Sequence, residues 1–168
     1  MTEAAPKIEE LLETRARERD VLLLATLVHV PFDGWTMRAV TAGVADAGYP
    51  ADMALRAFPD GMEEMIAHFS RWADRRMVEE LAHRNLAEMK IRERIKACVQ
   101  VRLEILAPHR EAVRKALAFL ALPGHQALTT KLTYETVNAM WYEAGDRSTD
   151  YNFYTKRGLL AAVLGSTV

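Results

Sequence analysis

Apolar residues recur along most of the chain at the three-and-four spacing of amphipathic helices, and the breaks between these runs fall at proline and glycine. Pro6 suits the first turn of a helix, after which Ile8, Leu12, Ala16, Leu23, Leu27 and Val30 lie on one stripe at about 100° per residue. That spacing predicts a long amphipathic helix ending near Pro31. Beyond Phe32-Asp33-Gly34 the pattern restarts at Trp35 and runs to about Asp46. Ala47-Gly48-Tyr49 makes a turn, and Pro50 opens a short helix to Ala57. After the Pro59-Asp60-Gly61 break, residues 62–82 and 85–107 read as longer helices, the second with Ile91, Ile95, Val99 and Leu106 as its buried stripe. Pro108, Pro123-Gly124 and Gly145 then divide the remainder into helices near 109–121, 126–144 and 151–164. No hairpin dipeptide stands between alternating runs, so the expected fold is an all-α bundle of about eight helices.

A chain of 168 residues supports one sizeable core. Within that unit the pattern separates a helix-turn-helix subdomain over 1–61 from a helical bundle over 62–168. Lys and Arg number 22 against 23 Asp and Glu, leaving a net charge of -1 and no overall attraction to nucleic acid or an anionic membrane. A single cysteine, Cys98, excludes an internal disulfide and a cysteine-based zinc site, which points to a reducing, cytoplasmic setting. The start Met-Thr-Glu-Ala-Ala-Pro-Lys lacks the basic and apolar regions of a signal peptide. The longest nearly apolar run, Val21 to Phe32, is interrupted by Thr26 and His29 and falls well short of the roughly 20 residues of a membrane span.

Catalytic patterns are sparse. His29, His68, His83, His109 and His125 stand on separate elements. Glu80-Leu81-Ala82-His83 has the spacing used by di-iron bundles, but such a site needs a second Glu-x-x-His, and the chain has none. There is no Gly-x-Ser-x-Gly elbow, phosphate-binding glycine loop or His-Glu-x-x-His. Cys98 sits beside Val99 on the apolar side of its helix, as a core residue does. The expectation is a non-enzymatic protein with no metal and no cofactor.

Between Gly34 and Phe58 the order is an aromatic and Thr at a helix start, a small-residue helix, Ala47-Gly48, a short helix and a phenylalanine. This resembles the N-terminal domain of TetR-type regulators, in which Ala-Gly begins the turn and Phe ends the recognition helix. The resemblance implies a TetR-like fold. Its DNA-reading chemistry is missing: the short helix reads Asp52-Met53-Ala54-Leu55, and Gly61 stands where those regulators carry a lysine. From Asp33 to Gly61 two arginines, Arg38 and Arg56, face four aspartates, Asp33, Asp46, Asp52 and Asp60. Phosphate contacts supply most non-specific affinity for DNA, so that balance repels it.

The most specific passage runs Met140-Trp141-Tyr142-Glu143-Ala144-Gly145-Asp146-Arg147-Ser148-Thr149-Asp150-Tyr151-Asn152-Phe153-Tyr154-Thr155-Lys156-Arg157. It resembles the signature of the Coq-nine family, accessory lipid-binding proteins of ubiquinone (coenzyme Q) biosynthesis, with Phe153 where that family usually has Trp. Arg102-Leu103, Ala116-Leu117, Leu122-Pro123, Gly34-Trp35, Phe58 and Gly61 extend the likeness from about residue 20 to the end. The resemblance implies that the 62–168 bundle encloses a hydrophobic lipid, an isoprenoid quinone precursor or a phospholipid, forms a homodimer, and presents the lipid to the demethoxyubiquinone hydroxylase. Leu103, Leu106, Leu117, Leu120, Leu128 and Leu132 are the candidate pocket walls, being apolar positions at core spacing on the later helices. Met140, Trp141, Phe153 and Tyr154 are the candidate docking positions by the same resemblance. Peripheral contact with the inner membrane is implied only where the family's further C-terminal helices are present, and this sequence ends at Val168.

The residues of this region also speak without the family. Helix 126–144 is apolar on two sides, with Leu128, Leu132, Ala139 and Tyr142 on one and Tyr134, Val137, Met140 and Trp141 opposite. On the last helix, Arg157 projects close to the centre of the stripe Phe153, Leu160, Leu164. A guanidinium there needs a partner, and Asp146 and Asp150 in the preceding loop are the nearest carboxylates in sequence. The rival reading is a ligand-responsive transcription regulator of the TetR type, which would share the fold and an apolar pocket.

Overall fold

The computed structural model describes residues 4–145 and 151–167, the side chains of 4–7, 9, 151–154 and 167 excepted. Its elements are α1 (Ala4–Asp33), α2 (Met37–Asp46), α3 (Met53–Ala57), α4 (Met62–Leu81), α5 (Ile91–Leu106), α6 (Arg110–Leu120), α7 (Gln126–Glu143) and α8 (Tyr151–Thr167), with single 3-10 turns at Leu86–Glu88 and Ala107–His109. No strand occurs among the described residues, and the all-α expectation holds. Two compact units are present: Met1–His68 with Glu111–Ala116, and Phe69–Arg110 with Leu117–Val168.

In the first unit, α1 buries Leu22, Leu23, Leu27 and Val30 against Ala39, Val40 and Val44 of α2. The two helices meet at Gly43, where a Cβ would stand 2.6 Å from the Thr26 backbone nitrogen. Only hydrogen fits at that crossing. The Thr36 side chain caps α2 by accepting from the Ala39 N–H. Trp35 is buried and its indole donates to the Ala112 carbonyl at 3.0 Å. Phe58 closes this core: it is 1% exposed, with the Arg19 guanidinium 4.8 Å from its ring centroid and the His68 ring edge-on. Arg19 in turn pairs with Glu64 at 2.7 Å, and His68 Nε2 lies 2.8 Å from Asp20. Phe58 and Trp35, which carried the family resemblance, are thus the packing anchors of the unit.

Three details differ from the sequence pattern. Pro31 lies inside α1, two residues from its end, where the missing N–H costs a single helical bond and the Gly34 N–H still reaches the Val30 carbonyl at 2.9 Å. The Ile8, Leu12 and Ala16 part of the α1 stripe is exposed, because only the second half of the helix is covered by its neighbours. The expected 85–107 helix starts instead at Ile91, with Glu93 accepting from the Lys90 N–H at 3.0 Å. Its buried face is Cys98, Val101 and Leu106 rather than Ile91 and Val99, one position around the helix.

The second unit is built on Met77, Leu81, Cys98, Val101, Val137, Met140 and Leu160, drawn from α4, α5, α7 and α8. Among the described residues, no helix is long and apolar enough to cross a membrane.

Candidate functional site

Polar groups inside the second unit fix the helices that carry the signature. On α4, Ser70, Asp74, Met77 and Leu81 share one stripe, so Asp74 points inward with the apolar residues. Arg102 of α5 answers it: Nε donates to the Asp74 carboxylate at 2.8 Å, and Nη2 reaches the hydroxyls of Ser70 at 3.3 Å and Thr136 at 3.4 Å. Thr136 of α7 donates to the same carboxylate, at 2.9 and 3.1 Å from its two oxygens. Side-chain exposures of 13% for Arg102 and 12% for Asp74 make this a largely buried ion pair, tied to two hydroxyls as well as to itself. Beside it, Arg71 grips Glu135 with two bonds of 2.9 and 3.2 Å. Asp74 escaped the sequence reading because a charge on a helix reads as solvated surface; its register with Met77 and Leu81 is the signal that marks it as internal.

A second arginine explains Ala144-Gly145 in the signature. Arg94 donates to the carbonyls of Met89, Ala87 and Ala144, and so ties the start of α5 to the open C-terminal end of α7. Gly145 turns the chain at φ +87°, and a Cβ there would stand 3.0 Å from the Arg94 guanidinium. Both the left-handed conformation and the space call for glycine.

Arg157 is 6% exposed, and its Nε and Nη2 donate to the Asn138 side-chain oxygen at 3.2 and 3.1 Å. The guanidinium therefore joins α8 to α7. Asp146 and Asp150, its expected partners, lie outside the described residues. Next to this contact, a groove of about 370 Å³ runs between α7 and α8. Thr129, Thr133, Tyr134 and Val137 line it from α7, and Gly158 and Ala161 from α8, with Arg157 in its wall. Threonine methyls, a tyrosine ring and small aliphatic groups make its lining largely apolar. The buried face of α7 is Leu132, Thr136, Val137 and Met140, while Tyr134 and Tyr142 are 49% and 64% exposed.

The candidate wall residues are scattered. Leu106 and Leu132 are buried, Leu103, Leu120 and Leu128 are half-buried, and Leu117 is exposed; none of the six lines the α7–α8 groove. Helical spacing finds core positions, whereas the groove is made where Gly158 and Ala161 leave space, which apolar periodicity does not register. Among the docking candidates, Met140 is wholly buried in the core, so its side chain meets no surface partner. Trp141 is half-buried with Lys156 Nζ 5.6 Å from its ring centroid, and the side chains of Phe153 and Tyr154 lie outside the described residues.

Titratable groups elsewhere serve packing. Burial, reinforced by Glu143, pushes the Cys98 thiol up to about 11, and its sulfur sits 3.7 Å from the Met140 carbonyl. Burial also lowers His109, whose ring is edge-on to Phe69 and Trp72. Glu80 and His83 are both exposed, and no group of three metal-ligating side chains occurs among the described residues. On the helix-turn-helix, Arg38 pairs with Asp33, holding that carboxyl below its usual range mainly through a hydrogen bond, and Arg56 lies 3.8 Å from Asp52.

Known proteins resemble this sequence. The COQ9 family model matches residues 126–168, the stretch that builds α7 and α8. The human protein named "Ubiquinone biosynthesis protein COQ9, mitochondrial" is 32% identical over 99% of this chain and 54% of its own length. The cattle protein of that name is 31% identical over the same shares, and the fruit fly protein is 31% identical over 89% of this chain and 47% of its own. This chain spans about half the length of the curated relatives it matches. The likeness runs through both units of the chain and includes the signature that ends at Arg157, so the chain is similar to the ubiquinone biosynthesis proteins named COQ9.

Proposed function

We propose that this protein is a lipid-binding accessory factor of ubiquinone biosynthesis that holds a polyprenylated quinone intermediate and presents its head group to the demethoxyubiquinone hydroxylase. The observation that carries the reading is the apolar α7–α8 groove, formed by the same residues that match the family model. Burying an isoprenoid tail is favourable by about 25 cal/mol per Å² and requires no charged ligand. Nothing in this role asks the chain to make or break a bond, so it acts as a carrier and the hydroxylase as the enzyme. Trp141, Phe153 and Tyr154 are the docking positions of this proposal, a homodimer is its working state, and its place is beside the membrane that holds isoprenoid quinones. The relatives are named as mitochondrial proteins, which accords with a peripheral position. The pairing of both helix-turn-helix arginines with aspartates favours this role over phosphate binding.

Native mass spectrometry with lipid extraction on freshly purified protein tests the proposal. The expected result is a co-purifying isoprenoid or phospholipid near one per chain. A spectrum of bare protein that also fails to load added lipid would overturn it.

A further inference from the structure

The stretch of α1 from Val21 to Phe32 contains no acid, lysine or arginine, and its apolar residues divide between two sides of the helix. Leu22, Leu23, Leu27 and Val30 are buried in the first unit. Val21, Leu24, Val28 and Phe32 fall together on the opposite side, at spacings of three and four residues, and all are exposed. Val28 is 65% and Phe32 86% exposed. Single exposed apolar side chains are ordinary, but a contiguous row over three turns that ends in a bare phenylalanine marks a contact surface.

Spacing and charge identify what covers it. Turned end to end, the row nearly superposes on itself: Val21 meets Phe32 and Leu24 meets Val28, so that each larger side chain faces a smaller one. Exposed ion pairs stand at both ends, Glu13 with Arg17 one turn before Val21, and Asp33 with Arg38 directly after Phe32. Antiparallel pairing of two such helices brings Arg17 beside Asp33 of the second copy and Glu13 beside its Arg38, whereas parallel pairing sets Arg17 against Arg17. Two acids and two bases leave this rim without net charge, so an anionic bilayer gains nothing from it.

We infer that Val21, Leu24, Val28 and Phe32 form a self-docking surface, on which two copies of this chain pair antiparallel through α1. The inference is independent of lipid binding, and it gives the homodimer of the proposed function a surface made of residues outside the signature. The row is small beside the roughly 800 Å² per partner of a standard complex, so the pairing is reversible and depends on concentration.

Sedimentation of the whole protein over a concentration series into the millimolar range tests the surface. The expected result is a monomer–dimer equilibrium that Val28→Lys and Phe32→Lys each weaken at least about tenfold. Both positions are exposed, so the variants should keep the melting temperature of the parent. A chain that stays monomeric throughout the series, or a dimer indifferent to both variants, overturns the surface and leaves the lipid-binding reading untouched. Direction is tested by mixing Val21→Cys and Phe32→Cys chains under mild oxidation. Antiparallel pairing yields the mixed disulfide and little of either symmetric one, because like positions then stand about 16 Å apart along the helix axis. Symmetric disulfides in excess of the mixed one overturn the antiparallel arrangement.

Discussion

The two units of this protein differ in how they use their arginines. In the first, Arg38 and Arg56 sit at the rim, paired with nearby aspartates in sequence, and Arg19, bonded to Glu64, covers Phe58, while the packing of the interior depends on shape: Gly43 against Thr26 and Trp35 on Ala112. In the second, Arg94, Arg102 and Arg157 reach inward and each joins one helix to another. Exposed pairs between neighbours add little stability, whereas a buried guanidinium with all its bonds made fixes which helices meet and in what register. The unit with the signature is thus the one whose geometry is set by directional contacts. The proposed carrier role would draw on that fixed geometry along α7 and α8.

The contrast can be broken most severely at Arg102. Arg102→Met leaves Asp74 buried without its counter-charge, and urea unfolding should show a loss of about 3–5 kcal/mol. Asp74→Leu combined with Arg102→Met should recover most of it; a double variant as unstable as the single one would mean that packing volume, not charge, holds this contact. In the first unit the largest effect belongs to Gly43→Ala, which drives a Cβ into the Thr26 backbone and should cost about 2–3 kcal/mol. An unchanged midpoint there would show that α1 and α2 separate freely. Gly145→Ala must adopt φ +87° and crowd Arg94, a loss of about 1–2 kcal/mol. Its lipid binding should weaken as well, since the end of α7 is displaced.

Smaller effects come from titration. Burial keeps the folded pKa of His109 below its ordinary 6.5, so the unfolded chain takes up this proton first. Stability should begin to fall as pH drops through about 6.5, and it should keep falling until the folded pKa is reached. His109→Phe should flatten that part of the pH–stability curve. Cys98 behaves in the reverse sense: with its thiol raised to about 11, native protein at pH 8 should resist alkylation by iodoacetamide, as read by intact mass. Rapid modification would place the sulfur outside the core.

Much of the fold was legible because proline and glycine punctuate this chain where its helices end. The breaks at Gly34, Gly48, Gly61, Gly124 and Gly145 all fall at positive φ, where the turn requires glycine. Which face each helix buries was less legible. Ile8 and Leu12 look like core by spacing but lie where nothing covers the helix, and Met140 looks like surface by family likeness but is fully buried. The candidate site was legible as a segment, 140–157, and not as a shape. Its groove arises from side chains that are small, and its tethers from Arg94 and Asn138, which stand 50 positions before Ala144 and 19 before Arg157.

Photo-crosslinking with a diazirine-bearing prenyl probe, followed by peptide mapping on the full chain, tests most directly whether the α7–α8 groove is the lipid site. Adducts confined to residues 129–141 and 157–164, and competed away by unlabelled lipid, are the predicted outcome. Saturable adducts on α2 or α3, or labelling that unlabelled lipid does not compete, would contradict it.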